Sequence, residues 1–243
     1  MNKPISLVGK FFNTVASWGQ RSLLYLPLLL MADLGYGQIL VDYTSTSSRS
    51  EVEGILSFAE TEYEFEQAPT IDYDIDRDIL ALGITVPVGR SAHFLGQFGF
   101  ILDSERQNNY CDGDGFMIGG GLNSSFIHKR NFTISGFAFF NYIKESFDCP
   151  LNVDVDSTVK DFHFGPIAAI KLNPSVSLYG ALDLAVMSRG DWEYSGGGSN
   201  DFERDNLMTL RLGAKGRFEG MQGRFELALV GEDSFTFSLS TPM

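Results

Sequence analysis

Along residues 211–229, RLGAKGRFEGMQGRFELAL, charged and apolar positions alternate. Arg211, Lys215 and Arg217 interleave with Leu212, Ala214 and Phe218, and beyond a short turn Arg224 and Glu226 interleave with Phe225, Leu227 and Leu229. A period of two is the signature of a β-strand with chemically different faces. It recurs along the chain. Val176, Leu178, Leu182, Leu184 and Val186 share one face, opposite Ser177, Tyr179, Asp183 and Met187. Phe162, Phe164, Ala168 and Ile170 oppose Asp161, His163 and Lys171, while Phe116, Ile118, Leu122 and Phe126 oppose Asn123 and Ser125. Leu80, Leu82, Ile84 and Val86 make a further row. The pattern predicts ten strands, at 52–65, 77–88, 92–103, 115–127, 131–144, 158–171, 176–188, 206–218, 223–230 and 234–240, with eight as the alternative. Alternation slips between Phe58 and Tyr63, which suggests a bulge there.

The spacing of the strands chooses between two all-β architectures. Short connections at Pro87–Ser91, His128–Arg130, Leu172–Ser175 and Glu219–Gly223 take turns with long polar ones at Glu66–Asp76, Asp103–Asp114, Glu145–Ser157 and Ser188–Asp205. Regular segregation of loop lengths is expected of an up-and-down meander elaborated at one end, as in membrane barrels. The apolar rows have the 9–11 residues or so that a tilted strand needs to cross a bilayer, whereas sandwich strands run to about five or six. Aromatic residues gather beside the turns: Phe94, Phe126, Phe132, Phe218 and Phe225 near short ones, Tyr142, Trp192 and Tyr194 near long ones. Two interfacial girdles have this distribution, and core aromatics are the other reading. The fold class expected is therefore all-β, an antiparallel up-and-down transmembrane β-barrel. A soluble exported sandwich or lipocalin-like binder is the competing architecture.

The barrel reading fixes where the charges go. An Arg or Lys on the lipid face at mid-membrane costs about 2–4 kcal/mol, so Asp161, His163, Asp183, Arg211, Lys215, Arg217, Arg224 and Glu226 are assigned to the lumen. Buried charges require partners, and Arg211, Lys215 and Arg224 are expected to meet Asp183, Asp161 and Glu226.

Composition adds the compartment. The 243-residue chain is long enough for one large β-domain, and its net charge of −13 argues against nucleic-acid binding. Lys3, Lys10 and Arg21 precede the apolar run LLYLPLLLM at 23–31 and the small residues of Gly35-Tyr36-Gly37. This reads as an export signal over 1–37, an N-terminal extension over 38–50 and a barrel over 51–240. Cys111 and Cys149 fall in consecutive long loops, and an exported pair is read as a disulfide, with free thiols as the alternative.

The export signal, the alternating spans, the loop asymmetry and the final amphipathic strand SFTFSLS together resemble the small outer-membrane β-barrel proteins of Gram-negative bacteria. The resemblance implies an outer-membrane location with long loops outside and termini in the periplasm. It also implies a monomer surrounded by outer-membrane lipid and lipopolysaccharide and inserted by the barrel assembly machinery. The chain departs from the family in ending Ser240-Thr241-Pro242-Met243 rather than on an aromatic residue.

Candidate chemistry is sparse. Asp72, Asp74, Asp76 and Asp78 alternate in DYDIDRD, and Asp112 and Asp114 sit in CDGDG. Such carboxylates are candidate calcium ligands, but full EF-hand spacing is missing and solvated loop charges are the simpler reading. His163 shares a face with Asp161, so a serine hydrolase is conceivable, but a triad is defined by geometry. The glycines at 119–121 lie mid-strand and do not form a phosphate loop. The expectation is a cofactor-free, non-enzymatic barrel with a side-chain-filled charged lumen and disulfide-tied acidic loops, serving envelope structure or surface interaction. A narrow porin-like channel lined by Arg211, Lys215, Arg217 and Asp183, and a barrel enzyme acting on lipid or peptide, are the alternatives.

Overall fold

The computed structural model describes residues 41–65, 68–106, 111–150, 153–205, 207–230 and 233–243, with backbone only at 65 and 68–73. The expected export signal and the Gly231-Glu232 part of the last expected turn lie outside the described residues. Among the described residues all regular structure is strand: β1 (Glu51–Phe65), β2 (Ala68–Pro87), β3 (Ala92–Arg106), β4 (Cys111–Lys129), β5 (Phe132–Cys149), β6 (Val153–Asn173), β7 (Val176–Tyr194), β8 (Ser199–Arg204), β9 (Met208–Phe218), β10 (Met221–Leu229) and β11 (Asp233–Pro242). Every neighbouring pair is antiparallel, and β11 closes on β1 from Glu51↔Pro242 to Glu60↔Asp233. Ten strands thus make a closed up-and-down barrel, and β8 is additional.

β8 has a structural reason. β9, β10 and β11 span only 11, 9 and 10 residues, whereas β2 and β6 span 20 and 21. Strands of about 9–11 residues suffice for a bilayer, so β1–β7 rise beyond the level where β9–β11 stop. The gap above is closed by β8, which pairs with β7 from Arg189↔Glu203 to Glu193↔Ser199 and with β1 at Tyr63↔Arg204. Below it β9 continues along β7 from Leu184↔Met208 to Val176↔Gly216. β8 and β9 therefore form one edge interrupted at 205–207, where the neighbour on the other side changes from β1 to β10. The barrel has a ten-stranded lower tier and an upper tier closed by β7–β8–β1.

Much of each expected long loop is strand. The sequence assigns 66–76, 103–114, 145–157 and 188–205 to loops because polar residues occupy both faces there; the structure carries β2 to Ala68, β5 to Cys149 and β7 to Tyr194. Outside the hydrocarbon a strand's outer face meets polar surroundings, so the lipid-facing period vanishes while the ladder continues. The same effect explains β1. No bulge lies between Phe58 and Tyr63: Ala59, Thr61 and Tyr63 are buried, Phe58, Glu60 and Glu62 point outward, and the register shifts only at Glu64/Phe65.

The expected apolar rows face outward. Leu82, Ile118, Leu122, Leu210, Leu212 and Leu239 are all exposed. This belt ends sharply toward the tall end: Phe58 is followed by Glu60, Leu80 is preceded by Asp78, Leu102 is followed by Asp103, Phe116 is preceded by Asp114, and Phe162 by Lys160. At the other end the turns are tight; Glu219 and Gly220 both take positive φ, 47° and 88°, as a two-residue hairpin requires.

Phe94, Phe126, Phe132 and Phe218 are exposed near the short turns, and Tyr142 and Phe225 are half-buried on the outer face. Trp192 and Tyr194 are corrections to the expected girdle. One residue is extra in β7 at the shift opposite Phe162/His163, so inward parity passes from Asp183 and Ala185 to Ser188, Gly190 and Trp192. Trp192 is 0% exposed, Tyr194 packs against the same interior cluster, and Met187 turns outward.

Above the belt Glu60 faces Asp76 across one ladder and Asp233 across the other. Directly opposed like charges destabilise a sheet. Glu60→Gln is expected to stabilise the barrel by about 0.2–1 kcal/mol, measured as a higher urea midpoint for loss of the folded band in cold gel electrophoresis. Leu212→Arg on the belt should instead cost about 2–4 kcal/mol in the same assay.

Candidate functional site

The interior is built in layers. At the tall end Trp192 stacks on Phe147 with ring centroids 5.3 Å apart, Phe202 of β8 packs against Trp192 at 5.8 Å, and Tyr63 meets Phe202 edge-on at 5.1 Å. The Arg106 guanidinium lies 4.6 Å from the Trp192 ring centroid. Cys111 and Cys149 are joined in a disulfide, Cα–Cα 4.3 Å, with Cys111 buried in this cluster. The bridge staples the adjacent ends of β4 and β5. Beneath it Arg77 donates through Nε and Nη2 to the two Glu145 carboxylate oxygens at 2.7 and 2.8 Å, and Ser104 Oγ donates to the same group at 2.9 Å. This pair escapes the sequence pattern because Glu145 falls in a segment read as loop.

Lower down runs one connected set of charges. His163 Nδ1 lies 3.0 Å from Asp183 Oδ1, and Arg211 Nε donates to Asp183 Oδ2 at 3.1 Å. Arg211 Nη1 reaches Glu226 Oε1 at 3.3 Å, and Arg224 Nη1 is 3.5 Å from Glu226 Oε2. Arg224 Nε donates to Glu53 Oε1 at 3.0 Å. Glu226 Oε2 also accepts the Tyr43 and Tyr179 hydroxyls at 2.7 and 2.5 Å. Five strands, β6, β7, β9, β10 and β1, contribute because their inward positions fall at one level, with β11 between the last two.

The structure brings Arg211 to Asp183 and Glu226, and Arg224 to Glu226. Lys215 instead donates to Asp42 Oδ2 at 2.5 Å. Asp161 accepts from Ser188 Oγ at 2.5 Å and lies 3.9 Å from His163 Nε2. Arg217, on the same parity, is exposed at the short-turn mouth and outside the set. The serine hydrolase geometry is not formed at His163: the nearby hydroxyl, Ser188, is directed at a carboxylate, and both imidazole nitrogens face aspartates.

Three partners were not readable from periodicity. Glu53 lies on β1, where the inward face mixes Glu53 with Ile55 and the outward face carries Gly54, so polarity does not mark the faces. Asp42 and Tyr43 belong to the segment before β1, read only as an extension. Residues 41–45 of that segment lie inside the barrel. Val41 N donates to Gln97 Oε1 at 3.1 Å, Asp42 N donates to Glu53 Oε2 at 2.8 Å, and Asn123 Nδ2 donates to the Tyr43 and Ser45 carbonyls at 2.7 and 3.1 Å. Val41 and Tyr43 join Leu95, Phe137, Phe139, Ile167 and Tyr179 in a second buried cluster.

Lumenal glycines make room for these side chains. β4 presents Gly113, Gly115, Gly119 and Gly121 inward; a methyl at Gly113 would come within 2.7 Å of the Phe147 ring, and one at Gly119 within 2.6 Å of Phe139. A methyl at Gly213 would overlap the Tyr179 ring. Gly119 and Gly121 of the mid-strand glycine run are thus sockets for the Phe139 ring.

Among the described residues no three His, Cys, Asp or Glu side chains are grouped to hold a metal ion. Asp74 and Asp76 lie on the outer face of β2, Asp112 and Asp114 on that of β4, and the Asp72 side chain is outside the described residues.

No protein-family model and no curated protein sequence matches the chain. Among solved structures it is similar to the outer membrane protease OmpT from Escherichia coli, at 7% identity and TM-score 0.56, over 85% of this chain and 99% of that one. It is also similar to the translocator domain of the autotransporter NalP from Neisseria meningitidis, at 10% identity and TM-score 0.48, over 96% and 98% of the two chains. The fold is that of the bacterial outer-membrane β-barrels.

Removing one member of a buried ion set strands its partners, at about 3–5 kcal/mol. Glu226→Leu is expected to destabilise by that order, with Gly213→Val also lowering stability by displacing Tyr179; tryptophan fluorescence in urea titrations of the refolded barrel measures both.

Proposed function

We propose that this protein is a closed, non-conducting barrel of the bacterial outer membrane that serves envelope structure or surface interaction rather than solute passage. The observation that carries this reading is the filled interior. An aromatic layer, an ion pair, a charge network and the chain's own segment 41–47 occupy successive levels, and Arg211 is 0% exposed. A channel through the same charges needs them open to water, whereas here Asp183, Arg211 and Lys215 are each committed to a partner and Arg217 alone stands exposed at the mouth. Small barrels are in general filled by side chains rather than left open.

The outer belt supports residence among outer-membrane lipid and lipopolysaccharide, with insertion by the barrel assembly machinery, as a monomer. The difference between the two ends supports one orientation. The tall, charged tier faces outward from the cell, and the short turns, β11's end and the docked segment face the periplasm, as in barrels with short periplasmic turns. Surface contacts then fall to the upper tier, stiffened by the Cys111–Cys149 staple and by β8.

Purified barrel reconstituted in planar bilayers should show no unitary conductance in salt solution; reproducible unit steps would overturn the closed-barrel reading. Single cysteines placed at Ser195 and at Arg90 report orientation in intact cells: an impermeant maleimide should label the first and spare the second.

A further inference from the structure

The charge of the molecule is distributed by end, and one end encloses a cavity that the closed-barrel reading leaves without a role. At the short-turn mouth a cavity of about 250 Å³ is lined by His128, Lys129, Arg130, Lys171, Lys215 and Arg217, with Glu51 as the lining carboxylate. In a chain of net charge −13 this is a strong local inversion. Lys215 is occupied by Asp42, and Glu51 accepts from Ser45 Oγ at 3.2 Å. Among the described residues no carboxylate pairs with Lys129, Arg130, Lys171 or Arg217. Their charges come from three different hairpins: the β4–β5 turn, the end of β6 and the end of β9. Backbone bonds fix those hairpins beside one another, Lys171 N to the Asn131 carbonyl at 2.9 Å and Arg217 N to the Ser175 carbonyl at 2.8 Å.

We propose that this cavity binds a small multivalent oxyanion, a solute bearing several phosphate or carboxylate groups. The wall chemistry fits: hydroxyls of Thr133 and Ser177 line the cavity with the cations, giving neutral donors beside charged ones. The walls already hold a carboxylate. Asp42 Oδ2 accepts from Lys215 Nζ at 2.5 Å and from Gln222 Nε2 at 3.3 Å, and both donors also line the cavity. A volume of about 250 Å³ suits a small ligand, since pockets for drug-sized molecules begin at about 300 Å³. Thr44–Ser47 forms one wall, so the bound anion also fastens the lumenal segment. In the orientation proposed above the mouth opens to the periplasm, but the binding itself does not depend on that orientation.

The test uses the refolded full chain in a zwitterionic detergent, titrated calorimetrically with sodium pyrophosphate at low salt. Saturable one-site binding that weakens as salt rises is expected. Arg217→Gln and Lys171→Gln, both exposed and outside the buried network, should each weaken it by about tenfold, the scale of one charge-assisted hydrogen bond. Arg90→Gln, a basic residue in a different short turn that does not line the cavity, should leave it unchanged. Absence of binding overturns the proposal, and so does an equal loss for Arg90→Gln, which would mean diffuse attraction to a basic end. A third overturning result is pyrophosphate silence combined with tighter association of wild type than of Arg217→Gln with phosphatidylglycerol nanodiscs, which would reassign the cations to lipid headgroups at the rim.

Discussion

The constraint beneath this structure is that hydrocarbon tolerates neither an unpaired backbone group nor a bare charge. Closing the ladder from β11 to β1 satisfies the first requirement. The second drives every ionised side chain at belt level to the axis, where water is replaced by other side chains and each charge needs a protein partner. The set running from His163 through Asp183, Arg211, Glu226 and Arg224 to Glu53 answers that need. Glu226 is its hub, because two guanidinium groups and two phenolic hydroxyls converge on one carboxylate.

Filling the lumen also shapes the backbone around it. Aromatic rings lie flat against the wall only where the facing strand lacks side chains, and β4 provides that with inward glycines opposite Phe139 and Phe147. Segment 41–47 completes the packing, since its backbone amides and carbonyls are matched by Gln97, Glu53 and Asn123. Height is managed separately. The β10–β11 hairpin spans little more than the belt, and β8 seals the tier above it by exchanging β10 for β1 as neighbour.

The two ends differ in chemistry as well as height. Acidic side chains dominate the outer face of the tall tier on β1–β3, even where they oppose one another across a ladder. Cations dominate the short-turn mouth. A barrel with a filled interior thus presents two chemically distinct ends.

What the sequence determined by itself is the parity of the membrane-crossing strands. The lipid-facing rows through Leu82, Ile118, Phe164, Leu178 and Leu212, and the inward placement of Asp183, Arg211, Arg224 and Glu226, follow from a period of two together with the cost of charge in lipid. That signal depends on an apolar environment and fades where the environment is polar, so the strand extensions above the belt, the unbroken alternation of β1 and the inward Trp192 were not legible. Tertiary structure alone decided which charges pair, because partners such as Asp42 and Lys215 are separated by most of the chain and meet only on closure. It also decided that the segment before β1 enters the lumen: no local periodicity marks a stretch whose conformation is dictated by the side chains around it.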